Sequence, residues 1–302
     1  MAKRLLSIGE CMLELSTGDA GQLRKGYAGD TFNAAFYARA ALPADWQVDY
    51  LTAVGTDRVS DEMLAFMEAS GVGTGFVERL PDRSPGLYMI HLENGERSFS
   101  YWRSASAARL LARDPGKLAR ALAAADIVIF SGITLAILES DGAEVLIEEI
   151  GKVRDTGRIV AFDPNIRPRL WPDPDRMRAV IENGARASNL VLPSFDDEAA
   201  HFGDADIPAT LKRYRSLGVE RIVVKNGAGA VSVAFDGKIS EVPVVPVAEI
   251  VDTTSAGDSF NGSFLAHLAI HGDPVAAAGF AARVAAIVVG RHGALVRHDL
   301  RP

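Results

Sequence analysis

The segment best suited to chemistry is Asp-Thr-Thr-Ser-Ala-Gly-Asp at residues 252–258, which leads directly into a predicted helix. The small residues Ser255, Ala256 and Gly257 allow a tight turn and a close approach of the backbone to a ligand. The first N–H groups of a helix have no partner within it, so they can bind an anion. Asp258 at this position could accept a hydroxyl proton during phosphoryl transfer. An ordinary capped turn, in which Asp258 only stabilises the helix start, explains these seven residues about equally well.

A second segment, Ala-Gly-Asp-Thr-Phe-Asn-Ala at residues 28–34, has the same character. Gly29 and polar residues open a predicted helix. Asp30 and Asn33 lie about one helical turn apart, so both side chains could reach the hydroxyls of a polyol. Taken alone, the segment is explained more simply by a helix cap and a surface asparagine.

The elements that must position these segments follow an α/β pattern. From residue 126 onward, short apolar runs alternate with helical segments. Such alternation predicts a parallel sheet with helices on both faces. Strands are predicted at 5–9, 48–54, 127–130, 159–162, 190–192 and 222–224. Helices are predicted at 31–42, 61–69, 139–153, 175–187, 256–271 and 274–289, and within the alanine-rich tract 105–125.

Two further segments, 86–92 and 97–103, alternate polar and apolar residues on either side of Asn94-Gly95. An Asn-Gly pair between alternating runs is a strong hairpin signal. This β material interrupts the α/β pattern rather than following it. We therefore expect one large domain, residues 1–302, with a β lid formed from about 11–28 and 86–104.

Composition limits the classes of function. The chain has 302 residues, 48% hydrophobic content and a net charge of −7, which argues against nonspecific binding to nucleic acid or anionic membranes. Its single cysteine, Cys11, excludes an intrachain disulfide. No stretch approaches the roughly 18 apolar residues of a membrane span. We expect a cytoplasmic protein without nucleic-acid or membrane partners.

Together, segments 28–34 and 252–258 resemble the two signatures of the ribokinase/PfkB family of carbohydrate kinases. Residues 53–57, Ala-Val-Gly-Thr-Asp, resemble that family's Val-Gly-x-Asp turn, so the resemblance covers essentially the whole chain. It implies a ribokinase-like α/β fold: a central, mostly parallel sheet flanked by helices, with a small β lid. It also implies that Asp258 is the catalytic base. The anion hole would be formed by the backbone N–H groups of Ala256, Gly257 and Asp258, and Ser255 replaces the commoner glycine.

The resemblance further implies ATP and Mg²⁺. The turn at 225–230 looks like the family loop that faces the nucleotide, although a plain hairpin turn would need the same glycines. Segment 193–198 occupies the place of an Asn-x-x-Glu motif that helps to organise Mg²⁺. Ser194 replaces the asparagine there, and the supporting acid is either Asp197, which aligns better, or Glu198. The expected nucleotide-binding residues are Asn165, Arg167, Ser194, Lys225, Gly227, Gly229, Ser255 and Gly257.

Tyr101 and Arg103 would share one face of the predicted strand, where a hydroxyl and a guanidinium suit a ligand with hydroxyls and a carboxylate. Arg167 follows the strand ending at 162, and arginine forms the planar fork that binds carboxylates. Segments 101–109 and 163–171 look like those of the family's 2-keto-3-deoxygluconate kinases. By this resemblance the sugar pocket contains Gly29, Asp30, Asn33, Tyr88, Tyr101, Arg103, Arg167 and Asp258.

Other functions stay open at this point. A fructokinase or another sugar kinase of the same family would use the same catalytic residues. A non-catalytic sugar or nucleotide sensor is a third alternative, although it would not need the carboxylate of Asp258. His267 and His271 have the i, i+4 spacing of a metal pair but lack an evident third ligand, so we interpret them as helix-surface residues. A homo-oligomer through the lid is expected from the resemblance, since an exposed sheet edge can pair with its copy.

Overall fold

The computed structural model describes residues 2–17, 22–93 and 96–296. Its large sheet contains β1 (Lys3–Ile8), β4 (Trp46–Val54), β5 (Gly73–Arg79), β8 (Ile127–Ser131), β9 (Ile159–Asp163), β10 (Leu190–Val191), β11 (Arg221–Val224), β12 (Val231–Phe235) and β13 (Lys238–Val242). The strand order is β13-β12-β11-β10-β9-β8-β1-β4-β5. In this sheet order all neighbours between β11 and β5 are parallel, and the β11–β12 and β12–β13 pairs are antiparallel.

Helices cover both faces of this sheet: α1 (Asp30–Ala41), α2 (Arg58–Ala69), α3 (Pro115–Ala123), α4 (Gly132–Ile137), α5 (Gly142–Arg154), α6 (Pro174–Arg186), α7 (Phe195–Phe202), α8 (Ile207–Ser216), α9 (Ala256–His271) and α10 (Pro274–Val289). Side chains of β8 alternate between two cores. Ile127 and Ile129 pack with α1, α9 and α10, whereas Val128 and Phe130 pack with α3, α5 and α6. The parallel strands are therefore buried on both faces, as their apolar runs predict.

A second, smaller sheet lies apart from the first. It consists of β2 (Met12–Thr17), β3 (Leu23–Ala28), β6 (Leu87–Glu93) and β7 (Glu96–Trp102), in the order β3-β2-β6-β7. The antiparallel pairing of β6 with β7 confirms the two alternating segments as a strand pair. The predicted Asn94-Gly95 turn lies outside the described residues. β2 pairs with β6 in parallel, which joins the two lid segments into one sheet.

The predicted helices 256–271 and 274–289 match α9 and α10 in full. The helix predicted at 139–153 is wrong at its start, because α5 begins only at Gly142 and a separate helix, α4, precedes it. The alanine-rich tract 105–125 is not one long helix. A short 3₁₀ turn precedes α3, whose start is set by the Asp114 cap and Pro115.

Among the described helices, none is long and apolar enough to cross a membrane. Cys11 is buried next to β2, and burial raises the pKa of its thiol. The ring of His267 packs against the rings of His271 and Phe280, with centroids 4.3 and 5.1 Å apart. These contacts are those of a packed helix surface.

Candidate active site

The N-terminus of α9 has an unusual geometry. Ser255, which precedes the helix, lies in the left-handed region with φ 64°, and its side chain makes no capping hydrogen bond. The N–H of Ala256 donates to the carbonyl oxygen of Thr253 at 3.2 Å. The Ala256 N–H, one of the three predicted anion donors, is therefore already engaged within the turn. The N–H groups of Gly257 and Asp258, one step further into the helix, are the better anion donors.

Asn33 brings α1 to this helix start. Its Nδ2 donates to Oδ2 of Asp258 at 2.8 Å, and its Oδ1 accepts from the N–H of Gly29 at 3.3 Å. The two helices can approach because residue 262 is glycine. A Cβ at Gly262 would lie 2.1 Å from the carbonyl oxygen of Ala34, which a side chain could not tolerate. The two predicted segments, 28–34 and 252–258, therefore meet at one place.

Asp30 lies beside this pair, in the first turn of α1. The Nδ2 of Asn165 donates to Oδ2 of Asp30 at 2.9 Å. Asn165 itself has φ 34°, a backbone conformation that is strained for most residues other than glycine. Burial raises the pKa of Asp30, and a hydrogen bond from Ser131 opposes that rise. Polar groups from α1, β8 and the loop after β9 thus converge on Asp30.

Asp258 is an unusually weak acid for an aspartate. Burial raises its pKa to about 7, and the carboxylates of Asp30 and Asp163 contribute in the same direction. The hydrogen bond from Asn33 and the charge of Lys225 oppose the rise. A carboxylate with a pKa near neutrality can accept a hydroxyl proton efficiently and release it afterwards. Asp258 therefore has the properties of a general base.

Lys225 lies underneath the same helix start. Its Nζ donates to Oδ1 of Asn261 at 3.1 Å and approaches Oδ2 of Asp163 at 3.4 Å. The Nδ2 of Asn261 donates to that Asp163 oxygen at 2.6 Å. A Cβ built on Gly257 would lie 3.6 Å from Lys225 Nζ, which places the ammonium next to the first turn of α9.

The neighbouring strand end carries Ser194. Its backbone forms a bridge with Lys225, and the N–H of Phe195 donates to the carbonyl oxygen of Lys225 at 2.8 Å. The turn after Lys225 contains Gly227, with φ 52°, and Gly229, and it joins β11 to the antiparallel β12. This confirms the predicted turn between two strands and places it beside Lys225.

The structure separates the two acids of segment 193–198. Glu198 is fully buried against α8, where the hydroxyl of Tyr214 donates to Oε1 at 2.9 Å and Arg213 binds Oε2. Both carboxylate oxygens of Glu198 are therefore bound within the protein interior. Asp197 lies on the site side, with Oδ2 3.8 Å from Nη1 of Arg167.

Burial raises the pKa of Asp197, and the carboxylate of Asp163 adds to the rise, while Arg167 and Lys225 lower it. The guanidinium of Arg167 is half exposed on this side of the site. The structure thus brings Arg167 to Asp197, on the side of the Lys225 turn.

The small sheet presents aromatic side chains. The Tyr88 ring is buried, and its hydroxyl donates to Glu14. Tyr101 lies opposite it on β7, 53% exposed, with ring centroids 6.0 Å apart. β7 ends at Trp102, so Arg103 follows the strand, and strand alternation does not decide which way its side chain points.

Arg103 pairs with Glu10, a residue that sequence reasoning did not select. The guanidinium binds Oε2 of Glu10, whose side chain is buried, while the Arg103 side chain is partly buried. The other carboxylate oxygen, Oε1, is buried without a hydrogen-bond partner among the described residues. Glu10 follows β1, and a polar residue after a parallel strand is a signal that could have identified it.

Asp163 and Asn261 were also missed as site residues. Asp163 is the last residue of β9, so its place at the carboxyl end of a strand was a usable signal. Asn261 lies three residues after Asp258 on α9, which puts it on the same face one turn later. No cluster of three or more potential metal ligands occurs among the described side chains.

Comparison with known proteins shows the family of the chain. Residues 2–298 match the model of the pfkB family of carbohydrate kinases. The chain is 38% identical to the 2-dehydro-3-deoxygluconokinase of Haemophilus influenzae over 87% of this chain and 86% of the relative. It is 37% identical to the Dickeya dadantii protein of the same name over 99% of both chains.

A solved structure shows the same architecture. The fructokinase of Xylella fastidiosa with bound ATP is 26% identical and superimposes with a TM-score of 0.85, covering 98% of this chain and 94% of that one. The nine-stranded sheet, its helical layers and the small sheet are accordingly those of the ribokinase-like fold. From the family match and these full-length relatives, the chain belongs to the pfkB family of carbohydrate kinases.

Proposed function

We propose that this carbohydrate kinase transfers the γ-phosphate of ATP to 2-keto-3-deoxygluconate, also called 2-dehydro-3-deoxygluconate, to give ADP and the 6-phospho product. The relatives named as kinases of this sugar acid support the substrate, since they align over nearly the whole chain. One observation carries the chemistry. Asp258, with a pKa of about 7, lies at the start of α9, next to the buried ammonium of Lys225.

The proposed step is an in-line transfer. The 6-hydroxyl oxygen of the sugar acid attacks the γ-phosphorus while Asp258 takes the hydroxyl proton. The bond between the γ-phosphorus and the oxygen bridging to the β-phosphate breaks, and ADP leaves with that electron pair. The N–H groups of Gly257 and Asp258, together with the Lys225 ammonium, would stabilise the charge on the transferred phosphoryl group.

The nucleotide would lie over the ends of β9 to β11. Its expected contacts are the predicted residues Asn165, Arg167, Ser194, Lys225, Gly227, Gly229, Ser255 and Gly257. Mg²⁺ usually binds through one or two carboxylates and the substrate phosphates. Asp197 fits this role, because burial and repulsion from Asp163 both raise its pKa, and a bound cation would offset both effects. The cation neutralises charge on the phosphate oxygens when it is bound.

The sugar acid would lie between α1 and the small sheet, near Gly29, Asp30, Asn33, Tyr88 and Tyr101. Its carboxylate would bind the guanidinium of Arg103, which keeps further donors besides the one that binds Glu10. Arg167 is the weaker candidate for a sugar contact, because it pairs with Asp197 on the nucleotide side.

The second candidate function is a fructokinase. One observation favours it: Glu10 already neutralises Arg103, and a neutral pair of side chains suits a sugar without a carboxylate. Against it, a guanidinium can bind two carboxylates at once through its separate N–H edges. The two candidates differ only in the acceptor, and not in the role of Asp258.

We also propose that the chain is one domain in the cytoplasm whose small sheet, from about 11–28 and 86–104, acts as a lid. Phe99, Tyr101 and Trp102 of β7 are large apolar side chains with exposed surface. These side chains would contact substrate or the corresponding sheet of a second copy. Pairing of two lids would give a homodimer.

A panel of acceptors tests the proposal. The protein is incubated with ATP, Mg²⁺ and 2-keto-3-deoxygluconate, gluconate or fructose, and the products are identified by mass spectrometry. Fast phosphorylation of 2-keto-3-deoxygluconate, abolished by excess chelator, is expected. Preference for fructose would contradict the proposed substrate. Transfer to none of the acceptors would contradict the proposed kinase activity itself.

A further inference from the structure

Three polar side chains from three separate elements form one buried cluster beneath α9. Asp163 ends β9, Lys225 follows β11, and Asn261 lies on α9; their exposed fractions are 6%, 9% and 2%. Asn261 uses both ends of its amide, since Oδ1 accepts from Lys225 Nζ at 3.1 Å and Nδ2 donates to Asp163 Oδ2 at 2.6 Å. The two contacts together define the orientation of the amide.

The cluster restricts a side chain that is otherwise flexible. A lysine ends in a compact charge on a flexible four-carbon stem and loses rotamer entropy when it is held in one position. Here Nζ is held by Asn261 on one side and by Asp163, at 3.4 Å, on the other. The ammonium therefore has a defined position before any ligand binds, and preorganised charge is the most effective kind in catalysis.

The choice of an amide at position 261 has an electrostatic consequence. Asp163 is one carboxylate, and it offsets one positive charge. A second carboxylate at position 261 would leave the cluster with a net negative charge beside the place where phosphate must bind. Asn261 contributes an acceptor for Lys225 without adding charge, so the ammonium keeps its attraction for anions.

The position of Nζ links the cluster to the reaction. A Cβ at Gly257 would lie 3.6 Å from Nζ, so the charge is adjacent to the anion-binding turn. Lys225 also lowers the pKa of both Asp258 and Asp197, which shows that it lies within electrostatic reach of both carboxylates. Its charge therefore acts on both the proposed proton acceptor and the proposed metal-side acid, the two groups that would flank the transferred phosphoryl group.

We propose that Asn261 and Asp163 are positioning residues that hold the Lys225 ammonium against the first turn of α9 for phosphoryl transfer. This inference rests on the proposed kinase reaction, but not on the identity of the sugar. Asn261 acts through Lys225 and touches neither substrate in this scheme.

A double-mutant cycle tests the inference, since it measures whether two residues act as one unit. The variants are Asn261→Ala, Lys225→Ala and the double variant, assayed for kcat with saturating ATP and acceptor. Loss of a hydrogen bond to a charged group corresponds to roughly a ten- to hundredfold decrease in kcat for Asn261→Ala. The double variant should be no slower than Lys225→Ala alone. Multiplied losses in the double variant would overturn the inference.

Asn189→Ala is the matched control. Asn189 also makes two amide hydrogen bonds, to Val160 N–H at 2.9 Å and to the Arg158 carbonyl oxygen at 2.6 Å, but at the opposite end of the strands. It should lower the melting temperature as Asn261→Ala does, while kcat stays within about twofold of wild type. An equal loss of kcat in both variants would show that only stability is affected.

Two further variants keep the test decisive if Asn261→Ala does not fold. Asn261→Asp retains the shape and adds the charge, so it should lower kcat more than Asp163→Asn, which retains the shape and removes a charge. The reverse order would overturn the inference. If the acceptor panel selects fructose, the substrate proposal fails, and the cycle is run with fructose and still decides the role of Asn261.

Discussion

The Nδ2 of Asn33 donates a hydrogen bond to Oδ2 of Asp258 at 2.8 Å, although 225 positions separate the two residues. The bond joins the first turn of α1 to the first turn of α9. It holds the Asp258 carboxylate in one orientation and opposes the rise in its pKa. The two sequence segments that each had an ordinary explanation therefore form one site.

Replacement of Asp258 by asparagine removes the proton acceptor but retains its shape. We expect Asp258→Asn to lower kcat by about 10²- to 10⁴-fold, the usual contribution of a positioned general base. The Kd for ATP, measured by calorimetry, should stay near the wild-type value. A variant that keeps a third or more of the wild-type kcat would show that Asp258 is not the base.

The pH dependence of the rate follows from the raised pKa of Asp258. Only the ionised carboxylate can accept the hydroxyl proton, and burial places its pKa at about 7. The value of kcat/KM should therefore fall as the pH decreases through about 7 and level off above it. Steady-state rates at intervals from about pH 5 to pH 9 measure this. A rate that stays flat across pH 7 would contradict the assignment.

The raised pKa of Asp258 also predicts that its ionised carboxylate destabilises the folded protein above neutral pH. The folded protein binds the Asp258 proton more tightly than the unfolded chain, so this group's contribution to stability is lost as the pH rises through its folded pKa of about 7. An asparagine carries no charge at any pH. Asp258→Asn should therefore raise the melting temperature at about pH 8, and the difference should vanish near the ordinary carboxyl pKa of about 4. A destabilised variant at pH 8 would contradict this.

Replacement of Arg103 distinguishes between the two candidate substrates. If its guanidinium binds the carboxylate of the sugar acid, Arg103→Ala should raise the KM for 2-keto-3-deoxygluconate about ten- to a hundredfold. Activity on fructose should change much less, since fructose has no carboxylate. Arg103→Lys should rescue only in part, because an ammonium lacks the planar fork.

Glu10 provides the control for Arg103. Truncation of Arg103 leaves the buried Glu10 carboxylate without its cation, so part of the loss comes from stability. Glu10→Gln in the Arg103→Ala background removes that charge and should restore the melting temperature without restoring the KM for the sugar acid. Equal losses on both substrates would mean that Arg103 only holds the small sheet in place.

Closure of the small sheet over the site can be measured by hydrogen exchange. If the sheet is a lid, exchange of backbone amides in 86–103 should slow when the sugar acid and an ATP analogue are bound. The amides of β8, which is buried on both faces, provide the internal reference. Unchanged exchange in 86–103 with both ligands bound would exclude a closing lid.

Local patterns were enough for much of the fold. The apolar strands alternating with helices predicted the parallel sheet, and the alternation around Asn94-Gly95 predicted the β6–β7 pair. The limits of α9 and α10 also followed from the sequence. These features depend on residues close together in the chain, where side-chain periodicity and turn chemistry act directly. The position of Asp258 at a helix start also depends on neighbouring residues, so the sequence predicted it too.

The choice between neighbouring acids depended on tertiary structure. Asp197 and Glu198 are adjacent in sequence, and although Asp197 aligns better with the metal-supporting acid of the motif, Glu198 was a candidate as well. Glu198 points into the interior because Arg213 and Tyr214 of α8 satisfy its carboxylate there. No pattern within segment 193–198 reveals α8 as its partner, so the sequence left both acids open.

The partners of the charged site residues were also decided by tertiary structure alone. The Asn261–Asp163 bond spans 98 positions, and the Arg103–Glu10 pair spans 93. The first bond joins α9 to the end of β9, and the second joins the segment after β1 to the residue that follows β7. By itself the sequence determined the residue types and the elements that carry them, and its family resemblance indicated the carboxylate that we propose as the base. The fold determined which charges meet, because burial and distance, not spacing along the chain, set the energy of a charged pair.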